Sequence, residues 1–160
     1  MTKFLLAVHV LAAIIAIGPV TVAASMFPPA ARRALSAPAD GHVFSSARLL
    51  HRICRVYAVL GVVVPVFGFA TAGSMGVLGD SWLIVSIVLT SMAAVVLGAL
   101  VLPRQSAILA GLESAAPPGA DDEAARRMTV RLAMFTGIFN LLWAVVTVLM
   151  IVRPGSSTGA

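Results

Sequence analysis

The side chain best placed to do chemistry in this 160-residue chain is His9, an imidazole set inside an otherwise apolar stretch. Ionisable groups are costly to keep in hydrocarbon, so such positions are functional candidates by default. His9 has three uses open to it: a hydrogen bond to a neighbouring helix, ligation of haem or a metal ion, or proton transfer. Met75 and Met150 are expected at a similar depth, together with Thr71, Ser74, Ser86 and Thr147. A thioether beside an imidazole is a soft ligand pair suited to haem iron or Cu(I), although methionines in an apolar chain are also ordinary core fillers. Asn140 lies near the middle of the last apolar stretch, where its amide must find a partner within the bundle or on another subunit. Trp143 and Gly137 can share its face.

The remaining polar residues offer less. His51 stands among Arg48, Arg52 and Arg55, and His42 lies in a polar stretch, so both read as interfacial residues. Cys54 is the only cysteine, which excludes an intrachain disulfide and a cysteine-built metal cage. All six carboxylates fall in polar segments, so no general acid and base face each other in the apolar interior. No catalytic residue stands out, and the chain leans away from being an enzyme.

The elements that hold these residues follow from composition. The chain is 60% hydrophobic and 11% charged, against about 25% charged for a soluble domain. Four stretches of nearly uncharged residues have the length of about 20 that crosses a bilayer. They span about 4–26, 56–77, 82–102 and 132–152. The first resembles a signal peptide, but its apolar run exceeds the usual core of about 7–15 residues and Arg32 and Arg33 follow it, which argues against removal. Pro28, Pro29, Pro38, Asp40 and Gly41 are expected to interrupt any helix after span one. Ser45 to Ile53 can form a basic helix leading into span two. Pro103 and the turn Pro117-Pro118-Gly119 are expected to interrupt after span three, with Asp121, Asp122 and Glu123 opening a polar lead-in to span four. Pro19 and Pro65 each remove a backbone donor and predict kinks. Small residues within the spans, Ala12, Ala16, Gly61, Gly68, Ala93 and Gly98 among them, allow close helix contacts. The expected fold is an all-α, integral membrane, antiparallel four-helix bundle forming a single domain over 1–160.

Charge sets its direction. Of eleven basic residues, Arg32, Arg33, Arg48, Arg52 and Arg55 lie between spans one and two, and Arg104, Arg126, Arg127 and Arg131 between spans three and four. Basic loops stay in the cytoplasm, so both termini are expected on the non-cytoplasmic side. The net charge of +5 is thereby explained without nucleic acid, for which no module is visible. The arginine and alanine bias, with Lys3 the only lysine, suggests a GC-rich bacterial genome and hence a bacterial cytoplasmic membrane.

The segments Leu6-Ala7-Val8-His9-Val10-Leu11, Leu50-His51-Arg52-Ile53 and Phe139-Asn140, with the apolar run ending Val152-Arg153-Pro154, are similar to a group of small four-span bacterial membrane proteins. That group includes the oxygen-independent protoporphyrinogen oxidase family, copper-resistance D proteins and uncharacterised relatives. The resemblance implies a haem-b ligand at His9. It departs at two places: Ser86 stands in span three where the oxidase family has a lysine, and Leu141 where it has an acidic residue after the asparagine. The expected function is a non-catalytic accessory or stabilising component of a larger membrane assembly, in contact with lipid and other membrane subunits. The alternative is a haem-b or copper-binding redox protein using His9.

Overall fold

A computed structural model describes residues 2–37, 40–114 and 122–155. The expected breaks at Pro38 and at Pro117-Pro118-Gly119, and Asp121, lie outside the described residues. The described residues form α1 (Thr2–Ser36), α2 (Gly41–Leu60), α3 (Val63–Met75), α4 (Ser81–Val95), a π-helical segment (Val96–Val101), α5 (Leu102–Glu113) and α6 (Asp122–Val152). These join into four rods long and apolar enough to cross a membrane: Thr2–Ser36, Gly41–Met75, Ser81–Glu113 and Glu123–Val152. At 1.5 Å per residue their lengths run to about 45–53 Å, against about 30 Å of hydrocarbon. Each rod therefore carries at least one polar extension beyond the apolar layer.

The rods form a ring in which the first packs against the second and fourth, the third against the fourth, and α2 closes the circuit on α5. The core joins Val20, Ala23, Ala24, Phe27 and Ala31 of α1 to Cys54, Leu97, Val101, Ile108, Leu132 and Phe139. Alanine dominates the α1 side, so the backbones approach closely and van der Waals packing replaces the hydrophobic effect that lipid cannot supply. Many large apolar side chains point the other way: Phe4, Ile14, Val59 and Ile151 are 71%, 64%, 72% and 76% exposed. A surface of that kind is covered by acyl chains.

Prolines act differently from one rod to the next. The expectation that Pro28 and Pro29 interrupt the chain is corrected, because α1 runs through both to Ser36. Interior prolines cost a helix about 3 kcal/mol, and here buried Phe27, Pro28, Ala31 and Ala34 hold the segment in place. Pro103 likewise does not end its helix. The rod widens ahead of it into the π segment, with Leu102 N donating to Leu97 O, five residues back. A wider turn relieves the clash between a proline ring and the preceding carbonyls. Pro65 behaves as its chemistry predicts: α2 ends at Leu60, Val62 N turns back to Val59 O at 3.1 Å, and Val64 N reaches Gly61 O at 3.2 Å. Gly61 O is the carbonyl that Pro65 cannot serve.

Candidate functional site

His9 sits on the inner face of α1, 9% exposed, and its Nδ1 donates to Val64 O at 3.0 Å. A carbonyl only accepts, so Nδ1 carries a proton, and in the neutral imidazole the lone pair is on Nε2. The neighbouring residue Gly68 makes the contact possible, since a Cβ there would stand 3.0 Å from His9 Cε1. The ring thus meets the α3 backbone at Val64 and Gly68, one turn apart and just past the break at Gly61. Met75 closes α3, about 10 Å beyond Gly68. Met150 packs on the outer cluster of Ala72, Trp82 and Leu83. Thr71 and Ser86 are buried and donate to Phe67 O and Trp82 O within their own helices. Ser74 and Thr147 are exposed and likewise donate within their own helices, to Thr71 O and Trp143 O.

A second polar cluster lies at the other end of the bundle, where sequence reading looked for no chemistry. His51 Nδ1 donates to Gln105 Oε1 at 3.0 Å, and Gln105 Nε2 approaches Cys54 Sγ at 3.7 Å. Ser106 Oγ lies 3.3 Å from His51 Nε2, and the imidazole meets the Phe27 ring edge-on with centroids 6.5 Å apart. Gln105 is fully buried. Its signal was in the sequence: Val101, Gln105, Ile108 and Leu109 share one helical face, and a polar residue inside an apolar stripe needs a partner. His42, by contrast, is exposed and lines an open cleft with Arg33 and Ser46.

The third feature joins α6 to α1. Asn140 Nδ2 donates to Ser25 Oγ at 3.0 Å, and Ser25 Oγ donates to Thr21 O at 2.7 Å. Thr136, Asn140 and Trp143 fall on one face of α6, and Thr136 Oγ1, Asn140 Oδ1 and Trp143 Nε1 are enclosed without a hydrogen-bond partner among the described residues. Trp143 packs edge-on against Phe139, with ring centroids 6.4 Å apart. Ser25 itself is exposed, so the pair opens onto the outside of the bundle. The span limits read from sequence put Ser25 near the inner end of span one and Asn140 near the middle of span four, so the two apolar runs are offset where they cross.

The three imidazoles do not converge. No group of three or more histidine, cysteine or acidic side chains able to hold a metal ion occurs among the described residues. What the chain offers is one oriented imidazole, one buried glutamine network and one polar pair at the surface.

No curated protein and no solved structure matches this chain. Residues 3–154, which take in all four rods and all three polar features, match a family described as "predicted integral membrane protein (DUF2269)". The chain belongs to that family of integral membrane proteins.

Proposed function

We propose that the protein is a non-catalytic component of a bacterial cytoplasmic membrane that packs against a larger membrane assembly and stabilises it. The observation that carries this reading is the Ser25–Asn140 pair on the outside of the bundle. In a bilayer that side of the α1/α6 seam turns the Ser25 hydroxyl, which accepts from Asn140 Nδ2, toward acyl chains, which offer it no further hydrogen bond. A partner helix with a matching polar group gains about 0.6–2 kcal/mol per bond there. The polar groups deeper in the bundle, His9, His51 and Gln105, bond from one helix to another, which supports a structural use. Purification of the native protein in mild detergent tests the proposal. Asn140→Leu should lower the stability of the isolated protein by no more than about 1 kcal/mol while reducing recovery of its partner severalfold. Unchanged recovery from a well-folded Asn140→Leu, Ser25→Ala protein counts against it.

A second reading, a membrane redox protein carrying haem b or copper, is favoured by the geometry of His9. Its Nδ1–H is fixed by a backbone carbonyl, the arrangement that orients a ligating imidazole and raises its basicity. The resemblance to the oxidase and copper-resistance D group points the same way. His9 Nε2 would hold the iron or copper, with Met75 and Met150 the thioethers in question, and the bound group would supply one-electron transfer. A visible spectrum separates the readings. A stoichiometric Soret band that disappears in His9→Ala and persists in His51→Ala would replace the first reading with the second.

A further inference from the structure

The geometry points to a phospholipid-phosphate site in the seam between α5 and α6, formed by Arg104 and Arg131 beside the Phe135 ring. Arg104 is half-buried, and its guanidinium lies 4.4 Å from the Phe135 centroid. Its Nη1 donates to Leu100 O at 2.9 Å, so the head is drawn back along its own helix toward the apolar run and away from water. Arg104 follows Pro103 directly after the π segment Val96–Val101, so the guanidinium reaches back onto the turn where that segment ends. A guanidinium has five N–H donors in a planar fork that matches the oxygens of a phosphate, and one of the five is used on Leu100. The described ion pairs are Arg48–Glu113 and Arg127–Glu123, and neither involves Arg104 or Arg131.

Position selects the source of the phosphate. The apolar run of the third rod ends at Leu102 and that of the fourth begins at Leu132, so Arg104 and Arg131 both stand at the boundary where headgroups lie. Arg131 is exposed and precedes Phe135 by one turn on the same face of α6. Met134 and Ile138, 53% and 41% exposed, continue up the helix as a surface for acyl chains. A phosphodiester held between the two arginines would thus have its tails on apolar surface. Anionic lipids add attraction, because basic groups at a membrane surface each favour them.

The full chain, purified in mild detergent with phosphatidylglycerol and phosphatidylcholine, can be examined by native mass spectrometry. Wild type should retain phosphatidylglycerol saturably, and Arg104→Gln and Arg131→Gln should each weaken retention about fivefold. Arg104→Lys, which keeps the charge but loses the planar fork and the ring contact, should fall between wild type and Arg104→Gln. Arg52→Gln, an exposed arginine on α2, should stay within about twofold of wild type. Equal loss in Arg52→Gln would reduce the effect to general surface charge and overturn the site, as would full retention in Arg104→Gln. Displacement by millimolar inorganic phosphate would show a free-phosphate site instead. Loss of a co-purifying protein with no change in lipid would show a protein contact. Should Arg104→Gln fail to fold, Arg104→Lys combined with Arg131→Gln decides the question.

Discussion

His9 and Gly68 meet closely across the packed faces of α1 and α3. A methyl group at Gly68 would meet His9 Cε1 at 3.0 Å and Nδ1 at 3.4 Å, so in Gly68→Ala the ring has to give by a few tenths of an ångström while it is held by its bond to Val64 O. The expected cost is about 1–3 kcal/mol, from overpacking together with a weakened buried hydrogen bond. His9→Ala removes the obstructing ring, so the double variant should lose much less than the sum of the two single ones. Unfolding in mixed micelles measures that coupling; additive losses would mean that the ring and the glycine do not meet. His9 itself was visible in the sequence because a lone imidazole in an apolar run has few ordinary explanations. Its partner was hidden, since a backbone carbonyl carries no side-chain signature, and only the Pro65 break beside it hinted that α3 is irregular there.

Among the elements, local rules and packing disagree at the prolines. Pro28 and Pro29 look like a helix end when judged by donors alone, yet α1 continues because Ala31 and Ala34 are buried. Pro29 is exposed, so Pro29→Ala restores a backbone donor without disturbing the core and should raise stability by about 0.5–2 kcal/mol. Ala31 is 0% exposed, and Ala31→Leu should lower stability by about 1–3 kcal/mol. Thermal unfolding of the two variants checks the pair of signs; a stabilised Ala31→Leu would mean that α1 and its neighbours are loosely packed. Gln105 is a similar case. Its place in the stripe of Val101, Ile108 and Leu109 was legible, but the alignment of that stripe with His51 depends on the π segment, which periodicity does not reveal.

For the whole molecule, four apolar runs and the segregation of charge made the membrane architecture legible, because hydrocarbon imposes length and composition on every crossing. Depth was less legible. The rods are longer than the apolar layer, so contacts such as Ser25 with Asn140, and not span limits, decide which residues face each other. Nine arginines in the two connections predict that both ends lie outside the cytoplasm. A reporter active only outside the cytoplasm should work when fused after Ala160, and activity only when inserted near Ala115 would reverse that orientation. The proposed role in an assembly rests on the polar pair at the α1/α6 seam, and a photoreactive amino acid placed at Ser25 in intact cells tests it most directly. Irradiation should yield a discrete crosslink to another membrane polypeptide, absent when the same group replaces lipid-facing Ile14 on the same helix. Crosslinks to lipid alone at Ser25, from a protein that still folds, would contradict the account.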